Sequence, residues 1–72
     1  MSKLVNVDCE QGLLGALLTD NKQLWNVINL VSPEDFSHPA HSDIYRKIID
    51  LVRGDLAATP VTMKTYFEER LS

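Results

Sequence analysis

The sequence predicts an all-α fold, a small orthogonal bundle of four main helices plus a one-turn helix, and three observations carry that prediction. Apolar residues recur at three- and four-residue spacing along most of the chain. Helix-start signals recur between those stretches: Asp8, Asn21, Ser32 before Pro33, His38 before Pro39, and Thr59 before Pro60. The one β-prone run, "LVNV" near the start, has no second run to pair with.

The first helix is expected after Asp8, as N-cap, with Gln11 at N3 completing a capping box. Leu13, Leu14, Leu17 and Leu18 form its apolar stripe. Gly12 and Gly15 each cost about 1 kcal/mol relative to alanine inside a helix, so their presence predicts the close approach of a neighbouring helix. Asn21 is expected to cap a second helix over "KQLWNVINLV", with Leu24, Trp25, Val27, Ile28 and Val31 inward. Trp25 is placed in the core, because an aromatic at helical spacing in so small a chain is most simply an anchor.

Ser32 ahead of Pro33, Glu34 and Asp35 combines a hydroxyl cap, proline at N1 and acids at the positive end of the helix dipole. Pro39 follows so soon that this helix has room for one turn. The long central helix then starts with His38 near its cap and Pro39 near N1. It turns Ile44, Tyr45, Ile48, Ile49 and Val52 inward, sets Asp43 and Lys47 as an i,i+4 pair outside, and ends at Gly54 as its C′ residue. Leu56, in the connecting "GDLAA", is expected to tuck onto the core. The last helix starts at Thr59 with Pro60 at N1, and Val61, Met63, Tyr66, Phe67 and Leu71 form its apolar side. The core assignment is Leu14, Leu17, Leu18, Trp25, Ile28, Ile44, Tyr45, Ile48 and Phe67.

Seventy-two residues hold one domain and bury only roughly 60% of the unfolded surface, so the core is marginal. The single cysteine, Cys9, permits no internal disulfide and suits a reducing, cytoplasmic compartment, where it reads as a small apolar residue. Ten acidic residues against seven basic ones give a net charge of -3, which argues against direct nucleic-acid binding. No apolar run reaches the roughly 18 to 20 residues that cross a bilayer, and no signal-peptide pattern occurs, so no membrane role is expected.

His38 and His41 are three apart, a spacing that can put two imidazoles on one side of a helix start. A metal site wants a third and usually a fourth ligand, and Glu34, Asp35 and Cys9 qualify by type only. No metal or cofactor is therefore expected. There is no GxSxG, HExxH, GxGxxG or GxxxxGK[ST] motif, and the acid pairs Glu34-Asp35 and Glu68-Glu69 fit a helix start and a solvated face. No catalytic residue is assigned.

The segments "EQGLLGALLTDN", "SPEDFSHPAHSDIYRKIIDL" and "VTMKTYFEERL" together resemble the N-terminal domain of DnaB-type replicative DNA helicases. The resemblance rests on Glu10-Gln11, the leucines from Leu13 to Leu18, Asp20-Asn21, Asp35-Phe36, Pro39-Ala40-His41, Ile44-Tyr45 and Val61-Thr62-Met63, in family order. It implies a structural corner in which Phe36 plugs the core, Pro39 starts the central helix and His41 ties the turn. It also implies a helicase head domain over residues 8–72 after an N-terminal extension over 1–7. The family's later Gly-Gly…Tyr-Leu helix and helical hairpin are not matched, so the head reads as incomplete at its C-terminus.

On that resemblance the chain is expected to be a non-catalytic interaction and assembly module of a helicase that unwinds duplex DNA with ATP. Its expected partners are other helicase subunits or replication accessory proteins (primase or loader in the family). A monomer or weak oligomer is expected, with bare apolar surface around Phe67, Leu71 and the first helix. Two other readings fit the residues. One is a free-standing phage or plasmid protein that mimics the helicase head to recruit or inhibit a helicase. The other is an unrelated small helical regulator that binds nucleic acid.

Overall fold

In the computed structural model, residues 6–71 are described, with side chains as far as Thr65. All regular structure among them is helical: α1 (Val7–Thr19), a 3-10 turn (Asn21–Gln23), α2 (Leu24–Val27), a second 3-10 turn (Pro33–Asp35), α3 (Pro39–Arg53) and α4 (Pro60–Leu71).

Helix α1 starts one residue before the expected cap. Asn6, in extended conformation, takes the N-cap position and its side-chain oxygen accepts the Cys9 N–H at 2.9 Å. Asp8 falls inside the first turn, where its charge still complements the dipole. Asp20 ends α1 and caps the next turn by accepting the Lys22 N–H at 3.1 Å, so the cap assigned to Asn21 belongs to Asp20.

The expected second helix is much shorter than its pattern suggests. Only Leu24–Val27 is α-helical, and the Leu30 and Val31 amides both close back on the Val27 carbonyl at 2.8 Å. Asn26 and Asn29 are poor helix formers and β-branched Val27, Ile28 and Val31 lose rotamer freedom in a helix, so the segment favours a tight turn. That turn buries Leu24 and Val31 but leaves Trp25 54% exposed, which corrects its placement in the core.

His38 caps α3 and Pro39 occupies N1. At the other end the left-handed residue is Asp55 (φ 62°), with Gly54 at the C-cap in an ordinary conformation. Leu56 N–H reaches the Leu51 carbonyl at 2.8 Å and Asp55 N–H the Val52 carbonyl at 3.1 Å, the two bonds of a Schellman motif. The motif turns Leu56 outward, and it stays exposed instead of tucking onto the core. Thr59 starts α4: its hydroxyl accepts the Thr62 N–H at 3.2 Å and the Thr62 hydroxyl accepts the Thr59 N–H at 2.9 Å, a capping box with threonine in the place of glutamate.

The core joins Leu14 and Leu17 of α1, Leu24 of α2, Val31 and Phe36 from the turns before α3, Tyr45 and Ile48 of α3, Ala58 from the loop before α4, and Met63 of α4. Leu18, Ile28 and Ile44 pack against this cluster half-buried, so they flank the core rather than fill it. Val61 is exposed, which removes it from the apolar side of α4. Tyr66, Phe67 and Leu71 lie outside the residues whose side chains are described.

The glycines of α1 also depart from expectation. Both Gly12 and Gly15 are exposed, and a Cβ at either would meet no atom within 4 Å beyond the helix itself. Gly12→Ala and Gly15→Ala should therefore each stabilise the domain by about 0.5 to 1 kcal/mol, readable as a higher urea midpoint at unchanged slope. A loss of stability in either variant would show that this helix face is covered.

Candidate functional site

Glu10 occupies position i of the stripe whose later members are Leu14 and Leu17, so helical geometry carries its carboxylate into the interior. It is 1% exposed. Such a group must be paired or hydrogen-bonded, and the chain supplies donors from the corner ahead of α3. One carboxylate oxygen, Oε2, accepts the Ser37 hydroxyl at 2.5 Å and the Ser37 N–H at 3.0 Å. The other, Oε1, accepts His41 Nδ1 at 2.8 Å and the His38 N–H at 3.4 Å. The carboxyl is held down to about 2, chiefly by the Ser37 hydroxyl. Burial, the next largest influence, pushes the other way, and the His41 ring and the Ser37 and His38 amides add to the lowering.

An ionised carboxylate can only accept, so the proton of the contact with His41 sits on Nδ1. His41 is itself buried on the α3 stripe that continues through Tyr45 and Ile48. The two helices thus present matching stripes, 10-14-17 and 41-45-48, and each begins with the polar residue that pairs with the other. Beside this lock, Phe36 is buried with its ring 5.0 Å from that of Tyr45, and the Tyr45 hydroxyl donates to the Val31 carbonyl at 2.7 Å. Burial, and then the charge of Asp35, push the Tyr45 hydroxyl's pKa upward.

A second connection, absent from the sequence reading, is made by Asn21. Its amide nitrogen donates to the carbonyls of Leu17 and Ala58, each at 2.8 Å, and its oxygen accepts the Ala58 N–H at 2.9 Å. The side chain mimics a strand-like backbone pair and fastens the end of α1 to the entry of α4 across 37 residues. Ala58 is fully buried. Asn21→Ala strips the Leu17 carbonyl and both backbone groups of Ala58 of this partner and should cost about 2 to 4 kcal/mol, measured by urea unfolding. A cost under about 0.5 kcal/mol would make the clamp incidental.

The arrangement favours structure over chemistry. A carboxylate this acidic and this fully engaged is a poor general base at neutral pH. The Ser37 hydroxyl donates to Glu10, a carboxylate too weakly basic to activate it at neutral pH. The His38 ring lies 4.8 Å from that of His41, but His38 Nδ1 accepts the Ala40 N–H at 3.1 Å, which occupies that lone pair. Neutral His38 then carries its proton on Nε2, leaving no free lone pair for a metal. Among the described residues no three His, Cys, Asp or Glu side chains are placed to hold an ion. Of the corner residues, Phe36 and His41 are buried beside the lock and Pro39 sits exposed at the first position of α3. Glu10 could have been found from its register, since it shares a face with Leu14 and Leu17.

Fold and site define a small helical module organised around an internal carboxylate lock. The chain belongs to the DnaB-like helicase N terminal domain family, whose model matches residues 2–72. The replicative DNA helicase DnaB of Rickettsia conorii is 42% identical over 60 residues, covering 83% of this chain and 12% of that protein. The same-named proteins of Rickettsia bellii and Rickettsia typhi are 42% and 38% identical over the same length and shares. The chain therefore spans about one-eighth of the length of these relatives. No solved structure gave a significant match. No helix among the described residues is long and apolar enough to cross a membrane.

Proposed function

We propose that this chain is a non-catalytic interaction and assembly module of a replicative DNA helicase, acting in the cytoplasm during DNA replication. The family match over residues 2–72 carries the reading. It is supported by a sequence without a phosphate-binding loop and by a lock that spends its ionisable groups on joining α1 to α3. The partners are other helicase subunits or replication accessory proteins, primase or loader by family analogy. The role of the Phe36, Pro39 and His41 corner is to fix the direction of α3 and so the shape that a partner meets.

Sedimentation over a wide concentration range, with and without a cognate helicase collar, tests this. Weak, reversible association that strengthens with the collar is expected, together with no ATP hydrolysis. Submicromolar DNA binding at roughly physiological salt would overturn the reading in favour of a nucleic-acid regulator. A stable hexamer of the 72 residues alone would overturn the weakness of the contact.

A further inference from the structure

We infer that the α3–α4 corner formed by Asp55, Leu56 and Val61 is a docking surface for a protein segment that presents a basic side chain beside an apolar one. This rests on the assembly role proposed above. Three features of the corner work against the stability of the chain by itself. The Schellman motif that ends α3 puts its left-handed residue at Asp55 (φ 62°), where glycine would carry no steric cost. The same residue sets an exposed carboxylate at the negative end of the α3 dipole, and among the described residues that side chain has no hydrogen-bond or ion-pair partner. Leu56 occupies the next position, whose side chain commonly folds back onto the last turn of the helix, yet it is 60% exposed.

Val61, 73% exposed in the first turn of α4, extends the apolar surface. The Thr62 hydroxyl reaches the Ala57 carbonyl at 3.4 Å, which sets that turn against the loop carrying Leu56. The loop is itself pinned. Ala58 is fully buried, and Asn21 takes its N–H at 2.9 Å and its carbonyl at 2.8 Å. Two apolar side chains are thus displayed from a fixed backbone, which lowers the ordering cost of a contact. Single exposed apolar residues are ordinary on a surface, but here they adjoin an unpaired carboxylate held in a left-handed conformation. Charge selects the occupant. The last carbonyls of α3 and the Asp55 carboxylate draw a basic group to the corner, with Arg53 as the one nearby cation of α3's last turn.

Unfolding of the chain and its binding to a cognate helicase collar, measured side by side, test this. Asp55→Gly should raise the folded-to-unfolded ratio about threefold, because it removes both the steric and the dipole cost. The same variant should bind the collar about threefold more weakly. Stability and binding then move in opposite directions, which a merely structural residue would not produce. Asp55→Asn keeps the shape without the charge, so it should bind as weakly as Asp55→Gly and with less dependence on salt than the wild type. Leu56→Ser and Val61→Thr change side chains that are already in water, so melting should move little while binding weakens about tenfold. Collar binding that all four variants leave unchanged would overturn the docking surface and spare the assembly reading. A wild type that does not bind the collar at all would overturn both. Self-association of the chain alone that Asp55→Asn abolishes would make a second copy the occupant and overturn the partner assigned here.

Discussion

Glu10→Ala should lower the melting midpoint by about 10 °C or more. The substitution leaves the Ser37 hydroxyl, the Ser37 and His38 amides and the His41 ring without their shared acceptor, and opens a hole beneath the corner. Glu10→Gln keeps the volume but turns an amide N–H toward donors, so it should recover only part of the loss. The pH profile separates the charge from the packing. The carboxyl sits at about 2 in the folded chain against 4.5 as its ordinary value. Its contribution is therefore fully present above about pH 4.5 and is lost progressively as pH falls toward 2. The wild type should lose stability through that window more steeply than Glu10→Gln, in which the group cannot titrate. Parallel profiles for the two proteins would show that folding does not lower the carboxyl's pKa.

Tyr45→Ala should cost about 3 to 5 kcal/mol, most of what a domain of this size has. Tyr45 is fully buried, packs on Phe36 and satisfies the Val31 carbonyl, so its removal creates a cavity and orphans a buried acceptor together. Tyr45→Phe separates the two terms: it keeps the ring and should cost about 1 to 3 kcal/mol for the unpaired carbonyl alone. Guanidinium unfolding of both variants checks the split. If Tyr45→Phe were neutral, the Val31 carbonyl would have another partner or reach water.

Local chemistry carried far in this sequence. Proline at N1 after His38 and Thr59 marked the starts of α3 and α4, because proline tolerates only the first turn of a helix and fixes its φ there. Helical spacing placed Leu14, Leu17, Tyr45 and Ile48 on inward stripes, and they are buried. The segment from Lys22 to Val31 failed the same test. Its apolar spacing fits a helix, yet a bond to Tyr45 and the burial of Val31 draw the chain into a turn and put Trp25 on the surface.

Helix starts, inward stripes and the all-helical class were thus decided by the sequence itself, since each depends on residues within a few positions of one another. Which partners the inward polar groups find was decided by tertiary structure. Glu10 is buried because donors 27 to 31 residues away converge on it, and Asn21 is a clamp because Ala58 arrives from 37 residues downstream. A buried carboxylate or amide is tolerable only once its partners are in place, and those partners lie too far along the chain for spacing or propensity to register them.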